Sequence, residues 1–298
     1  MGANWAELQA DDIKRADVII KGVPFDGAAS VGKGACQAPD KLRQLSKVLP
    51  AVSEEGIVFK NKFFIKDEGD FEVDLNWKRY YQYIEEETGR LLKLNKFCLF
   101  IGGDHSTTIP LEIAFLNHHA GKKVGVIHFD SHSDILDEYE GHKWSHACTQ
   151  RRAIENSNLA DDGLSLIGIR SWESEEIEYL AEHPDIKVIP AAIVYEKGIG
   201  YVMDQLKERY QNFDAVYLSI DIDVLDPAYA PGTGTPESGG LSTREMMQLV
   251  KFIIKELPVK AMDIVEVSPP LDSSDITSWA ALKLIYEVFG QLYLRVKC

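Results

Sequence analysis

Cysteine is scarce in this chain, which has four in 298 residues and no CxxC pair: Cys36, Cys98, Cys148 and Cys298. Disulfide frameworks are typical of small, cysteine-dense secreted domains, so these residues are expected to be free thiols in a reducing compartment. The N-terminal residues lack the basic start and apolar core of a secretory signal, and no apolar run approaches the roughly 20 residues of a membrane span. These absences predict a cytoplasmic protein with no membrane partner.

Positive charge is also in deficit, because 32 Lys and Arg stand against 47 Asp and Glu, for a formal net charge of −15. Nucleic-acid binding relies on Lys and Arg to neutralise phosphates, so the composition argues against a nucleic-acid partner. An acidic surface attracts cations and suits a small cationic substrate. Solubility alone is the simpler explanation of the same charge, so the acidity is only compatible with such a substrate.

Short apolar runs alternate with longer amphipathic segments along the chain. The pattern predicts strands at residues 18–22, 97–101, 124–129, 165–169, 188–189, 215–220 and 261–265. It predicts helices at residues 75–94, 174–182, 198–210, 242–257 and 276–295. Ser242 and Glu245 fit a capping box at the start of one of these helices. Strand–helix–strand order indicates an α/β protein, with a mostly parallel sheet covered by helices on both faces in one domain over residues 1–298.

Two predicted strands end in polar residues that share a face. Asp130, His132 and Asp134 follow the strand at 124–129, and Asp221 and Asp223 follow the strand at 215–220. Side chains at i, i+2 and i+4 of an extended chain point the same way. Ligands of parallel α/β sheets bind beyond the carboxyl ends of the strands. The sequence places two more polar positions at strand ends, in the GGDHS run at 102–106 and at residue 266, so one rim of the sheet is the predicted site.

The residues at this rim have the chemistry of a metal centre. Carboxylate oxygens and imidazoles suit divalent ions such as manganese. Six ligands are too many for one tetrahedral zinc and fit two ions that share carboxylates. Two divalent ions balance four carboxylates, so a hydroxide and a nearby glutamate leave a negative pocket that attracts a cationic electrophile. The predicted ligands are His105, Asp130, His132, Asp134, Asp221 and Asp223.

Other polar residues near these motifs have simpler interpretations. Asp104 is expected to fix its loop, and Asp226 to form a turn with the proline that follows it. His128 alternates with the strand core and is expected to be a buried, hydrogen-bonded histidine. Cys148 has no evident base beside it, which argues against a nucleophile.

Five motifs together resemble the ureohydrolase superfamily of arginases, agmatinases and related guanidino- and formimino-acid hydrolases. They are GGDHS at 102–106, HFDSHSD at 128–134, SIDIDVLDP at 219–227, GTGTPESGGL at 232–241 and DIVEVSPP at 263–270. The resemblance implies a three-layer α/β/α fold, a homo-oligomer (trimer or hexamer) and two manganese ions per chain. It places His105, Asp130, Asp134 and Asp221 on one ion and Asp130, His132, Asp221 and Asp223 on the other.

The resemblance also implies a mechanism, in which metal-activated hydroxide attacks a guanidinium carbon and releases urea and an amine. Asp134 would orient the hydroxide and pass on its proton. His146 would shuttle a proton to the leaving amine, and Glu266 would bind the guanidinium. His146 and Glu266 are thus the predicted substrate-binding residues, and these two with Asp134 are the predicted catalytic residues.

Within the superfamily the chain is most similar to agmatinases, which convert agmatine and water to putrescine and urea. The loop after the metal motif departs from the agmatinase pattern, because Ala147 replaces a glycine, Cys148 a hydroxyl residue and Gln150 an aromatic residue. A guanidinobutyrase-, formimidoylglutamase- or arginase-like activity is the alternative. Two further alternatives are a deacetylase-like enzyme with a single zinc ion and a catalytically inactive binding or scaffold protein.

Overall fold

The computed structural model describes Trp5 and residues 8–297, and these residues form one eight-stranded sheet in which every pair of neighbours is parallel. The strand order is β2-β1-β3-β8-β7-β4-β5-β6. Strands β4 and β7 lie inside the sheet and are buried along their whole length, as expected when helices cover both faces. The strands are β1 (Val18–Gly22), β2 (Ile65–Asp70), β3 (Phe97–Ile101), β4 (Val124–Phe129), β5 (Leu159–Ile167), β6 (Lys187–Ile189), β7 (Ala215–Asp221) and β8 (Val259–Val265).

Helices pack on both faces of the sheet and give three layers. The apolar cluster on one face includes Ile20 of β1 with side chains of α1, α6, α7 and α8. The cluster on the other face includes Ile19, the next residue of the same strand, with side chains of α2 and α3. The helices are α1 (Ala38–Ser46), α2 (Trp77–Leu92), α3 (Thr108–His118), α4 (Thr149–Ile154), α5 (Ser174–Glu182), α6 (Ala191–Tyr210), α7 (Thr243–Glu256) and α8 (Ile276–Lys297).

The predicted fold class is confirmed, and several element bounds agree with the structure. Strands β1, β3 and β4 and helix α5 have the predicted bounds, and α7 begins with the predicted capping box of Ser242 and Glu245. The helix predicted at 198–210 is the second part of α6, which is interrupted at Gly198, a residue with φ of 76° and ψ of 165°. Strand β5 starts six residues before its predicted start at 165, at Leu159.

Strand β2 and helices α1, α3 and α4 were not predicted. The sequence of β2, IKDEGD, carries one apolar residue because the strand lies at the edge of the sheet, where Ile65 is buried and the other five residues are partly or fully exposed. Helix α3 is buried along most of its length, so its sequence lacks the polar face that marks an amphipathic helix. Helix α4 has six residues, fewer than two turns, which is too short for a periodic signal.

The cysteines and the helices bear on the expected free thiols and on the expected absence of a membrane span. Cys36, Cys98 and Cys148 are free, and Cys298 lies outside the described part of the chain. Among the helices described here, none combines the length and the apolar character needed to cross a membrane.

The strand order brings the polar motifs together. Strands β3, β8, β7 and β4 are consecutive neighbours, so their carboxyl ends form a continuous rim. The GGDHS run follows β3, Glu266 follows β8, Asp223 follows β7, and the motif from Asp130 to Asp134 follows β4. Parallel order thus gathers residues that lie more than 150 positions apart in the sequence.

Candidate metal centre

His105 lies at the centre of a group of carboxylates. Its Nδ1 atom is 2.9 Å from Asp130 Oδ2, 3.1 Å from Asp221 Oδ2 and 3.2 Å from Asp134 Oδ2. His105 is 1% exposed, and the three aspartates are at most 5% exposed. Three carboxylates packed around one imidazole nitrogen repel one another unless a cation or protons lie among them.

A second group shares Asp130 with the first. His132 Nδ1 lies 3.3 Å from Asp130 Oδ1 and 3.3 Å from Asp223 Oδ2. Asp130 therefore presents one carboxylate oxygen to His105 and the other to His132, which is the arrangement of a bridging ligand. Asp221 presents Oδ2 to His105, while its Oδ1 accepts a hydrogen bond from the Asp223 backbone N–H. The structure brings all six predicted ligands together, and a bridging role of Asp221 stays a prediction.

His128 is buried as expected, but it also belongs to this cluster. Its Nε2 atom lies 3.2 Å from Asp130 Oδ2, and its ring stacks on that of His105 with centroids 4.9 Å apart. His105, His128, Asp130 and Asp134 together form a group that could hold a metal ion. The sequence carried a signal for this contact, since side chains two residues apart, such as those at 128 and 130, share one face of an extended chain.

The hydrogen bonds around His105 leave one nitrogen free for a metal. Ser219 Oγ donates to Asp263 Oδ1 at 2.8 Å, so this hydroxyl accepts from His105 Nε2–H at 3.0 Å. The neutral ring then has its lone pair on Nδ1, which points at the aspartates. Among the described residues, His105 Nδ1 and Asp130 Oδ2 are buried without a hydrogen-bond partner. An imidazole lone pair beside carboxylate oxygens is a donor set that fits a divalent metal ion.

The pKa shifts in the cluster also indicate that its carboxylates require positive charge beside them. Burial opposes protonation of His132, yet Asp223 and Asp130 raise the pKa of His132 to about 12. Burial, with Asp223 and Asp130 beside it, raises the pKa of Asp221 well above its usual value. Without metal ions, the cluster therefore holds protons at neutral pH, and a metal ion would displace them.

Metal affinity is accordingly expected to rise with pH. A pKa of about 12 keeps His132 protonated in the metal-free protein, so an ion bound to Nδ1 competes with that proton. Each displaced proton should strengthen binding up to about tenfold per pH unit. Calorimetric titrations between about pH 6.5 and 8.5, in buffers of different ionisation enthalpy, measure both the affinity and the protons released. An affinity that does not change with pH would contradict this account of the site.

His146 and Glu266 lie next to the carboxylate cluster. His146 Nδ1 is 3.7 Å from Glu266 Oε1, and the same oxygen accepts the backbone N–H of His105 at 2.8 Å. Burial works against the imidazolium form, but Glu266 raises the pKa of His146 above its usual value. Glu266 and the predicted ligand Asp134 have positive φ, 60° and 55°, an unfavourable conformation for residues other than glycine that is concentrated at functional sites.

A cavity of about 150 Å³ opens onto the cluster. His105, Asp130, His132, Asp134 and Asp221 line its inner end, and no Lys or Arg is among the described residues on its wall. Glu266 is 3% exposed and is not on the cavity wall, so the predicted contact with a guanidinium stays a prediction. The rest of the lining includes His146, Leu136, Tyr139, Trp172, Glu173 and Glu176.

The unusual loop after the metal motif contributes less to this cavity than its sequence suggested. Ala147 lines the cavity, whereas Cys148 and Gln150 are fully buried behind it. Burial raises the pKa of the Cys148 thiol to about 12, and its Sγ contacts the carbonyl oxygen of His142. Cys148 therefore stays a neutral thiol at physiological pH, as the prediction that it is not a nucleophile requires.

Comparisons with known proteins agree with the geometry. The sequence model of the Arginase family matches residues 16–290. The chain is 34% identical to a guanidinobutyrase of Pseudomonas aeruginosa, over 95% of this chain and 87% of that one. It is also 34% identical to an agmatinase of Neisseria gonorrhoeae, over 94% and 87% of the two chains. The crystal structure of agmatine ureohydrolase of Thermoplasma volcanium superposes with a TM-score of 0.87 and 28% identity, covering 99% of this chain and 96% of that one. This chain belongs to the arginase family.

Proposed function

We propose that this chain is a manganese-dependent amidinohydrolase that converts agmatine and water to putrescine and urea. The observation that carries the proposal is the buried cluster in which Asp130 faces His105 with one oxygen and His132 with the other. One ion would be held by His105, Asp130, Asp134 and Asp221, and the other by Asp130, His132, Asp221 and Asp223. When bound, two such ions would lower the pKa of a water molecule toward neutrality and so supply hydroxide.

The chain's own residues would manage the protons of the reaction. Asp134 lies at the inner end of the cavity, where its carboxylate can orient the attacking oxygen and accept its proton. The carbon–nitrogen bond then breaks, and the leaving amine needs a proton because an amide anion is a poor leaving group. His146 lines the same cavity, and the carboxylate of Glu266 keeps a proton on its imidazole. We assign His146 as the residue that delivers this proton.

The charge of the cavity wall favours agmatine over a guanidino acid. The tail of agmatine ends in an ammonium, whereas that of 4-guanidinobutyrate ends in a carboxylate. Glu173 and Glu176 lie on the wall, and a described lining without Lys or Arg offers a carboxylate no counter-ion. The similarity to a guanidinobutyrase makes 4-guanidinobutyrate the second candidate.

A substrate panel tests this assignment. With manganese present, urea release from agmatine is expected to exceed that from 4-guanidinobutyrate and arginine by at least about tenfold in kcat/KM, or about 1.4 kcal/mol. Butylguanidine, which lacks a charged tail, should fall between agmatine and 4-guanidinobutyrate. In the Glu173→Gln variant the preference for agmatine over butylguanidine should narrow. Faster turnover of 4-guanidinobutyrate than of agmatine would identify 4-guanidinobutyrate as the substrate. Release of no urea from any of these compounds would favour an inactive binding protein.

The single-zinc alternative fits the cluster less well. A deacetylase-like site needs an Asp-x-His pair and one more aspartate, so it gives no role to His105 or Asp134. Both residues are buried within the cluster, with His105 Nδ1 3.2 Å from Asp134 Oδ2, which supports a second ion. A single domain over residues 1–298, a cytoplasmic location and a trimer or hexamer stay predictions from the sequence.

A further inference from the structure

Gln150, the residue that departs from the family's aromatic pattern, has an ionisable partner that the sequence did not indicate. Its side-chain Nε2 donates to Glu112 of α3, 3.1 Å from Oε1 and 3.4 Å from Oε2. Gln150 is fully buried and Glu112 is 1% exposed. A glutamate almost never becomes this buried without a partner, so the two residues form a buried polar pair.

The pair joins two chain segments that carry candidate metal ligands. Glu112 lies in α3, which continues directly from the short helical turn that starts at His105. On the other segment, the backbone N–H groups of Gln150 and Arg151 donate to the Asp134 carbonyl oxygen, at 2.9 and 3.2 Å. The hydroxyl oxygen of Thr149, beside Gln150, lies 3.0 Å from the carbonyl oxygens of both His105 and His146. The pair therefore links the segment that is hydrogen-bonded to Asp134 with the helix that continues from His105.

Glu112 is costly to keep at this position. Burial raises its pKa to about 8, with a contribution from Asp263, and the hydrogen bond from Gln150 opposes this rise only in part. Two apolar residues of similar volume would fill the same space without that cost. This unfavourable burial lies close to the predicted ligands His105 and Asp134, whose charges also act on Glu112. The spacing of ligand atoms decides how well an ion binds.

We propose that Glu112 and Gln150 act as a positioning pair, which holds His105 and Asp134 at the spacing needed to bind one ion of the centre. The proposal rests on the two-ion assignment of the proposed function. The effect should be confined to one ion because the other side of the centre is held by different contacts. Asp223 Oδ1 accepts the Ser131 backbone N–H at 3.0 Å, and Asp130 Oδ1 accepts that of His132 at 2.6 Å.

Manganese titration of the metal-free protein, followed by calorimetry and electron paramagnetic resonance, tests the pair. Glu112→Leu and Gln150→Leu are expected to weaken one of the two ions at least about tenfold and to leave the other within about threefold. Glu112→Gln keeps a hydrogen-bonding partner for Gln150 and should retain nearly the wild-type affinity for both ions. If Glu112→Leu does not fold, the manganese affinities of Gln150→Leu and Glu112→Gln still show whether the hydrogen bond between the two side chains matters for one ion.

Tyr210→Phe is the matched control, because the Tyr210 hydroxyl is also buried and lies 2.8 Å from the Val126 carbonyl oxygen and 2.9 Å from Ser165 Oγ, inside the sheet and not at its carboxyl rim. Loss of the Tyr210 hydroxyl should lower the melting temperature and leave the affinities for both manganese ions unchanged. Unchanged affinities in the Glu112 and Gln150 variants, or an equal loss at both ions, would overturn the positioning role while the proposed function stands. A wild-type protein that binds fewer than two ions would overturn both.

Discussion

Asp130→Asn is expected to lower kcat/KM for guanidine hydrolysis at least about 1,000-fold, which corresponds to about 4 kcal/mol of transition-state stabilisation. The physical reason is that Asp130 faces both halves of the centre, with Oδ2 at 2.9 Å from His105 and Oδ1 at 3.3 Å from His132. An amide has the same shape but supplies one neutral oxygen where two charged ones are needed. Both ions should therefore be lost or greatly weakened.

Thermal unfolding separates loss of metal from loss of fold. A ligand that binds the native state stabilises it, so manganese should raise the melting temperature of the wild-type protein and leave that of Asp130→Asn unchanged. Without metal, the variant is expected to be less stable than the wild type. Burial opposes ionisation of Asp130, yet His105, His128 and His132 hold its pKa well below its usual value, so the amide removes a charge that these histidines pair with. Asp162→Asn, at a surface carboxylate that pairs with Lys123, is the control and should keep the manganese response. A manganese-induced shift of wild-type size in Asp130→Asn would contradict the bridging role.

His146→Asn is expected to lower kcat about 100-fold to 1,000-fold while both ions stay bound, since general acid catalysis contributes on this scale. Glu266 raises the pKa of His146, so its imidazolium persists further into the alkaline range than that of a free histidine. A protonated His146 is needed for amine release, so wild-type activity should fall as pH rises through that raised pKa. The variant should lose this alkaline limb of the pH profile.

His142→Asn is the matched control for this variant. His142 lies four residues before His146 in the same loop, is exposed, and packs on Trp77 with ring centroids 5.1 Å apart. Its replacement should leave kcat and the pH profile nearly unchanged. An alkaline limb that persists in His146→Asn would assign the proton transfer to another group, such as a water molecule.

The predicted ligands could be found from the sequence because their signal is local. The motif from Asp130 to Asp134 directly follows a fully buried strand, and alternation along an extended chain predicts which side chains share a face. The structure departs from that premise, because the chain bends at Ser131 and His132 and Asp134 has φ of 55°, yet the side chains still meet. Parallel strands present their carboxyl ends at one rim, so the pattern also predicted which motifs would meet. His128 obeys the same alternation, but its position inside the apolar strand concealed its contact with Asp130.

Other features depend on contacts that no local pattern records. Glu112 and Gln150 lie 38 residues apart, in two elements whose packing is set by the whole domain. The interior position of Cys148 and Gln150 has the same origin, because an irregular loop gives no periodicity from which to infer its buried side. Strand β2 is recognisable only from its pairing with β1, since its own sequence is mostly polar.

The number of metal ions bound per chain tests the central claim most directly. The protein should be produced with manganese, freed of loosely bound metal, and analysed by inductively coupled plasma mass spectrometry together with a measured protein concentration. The account predicts about two manganese ions per chain, and about none in Asp130→Asn, because the donor set comprises two groups that share one carboxylate. About one zinc ion per chain, with urea release unaffected by manganese, would contradict it.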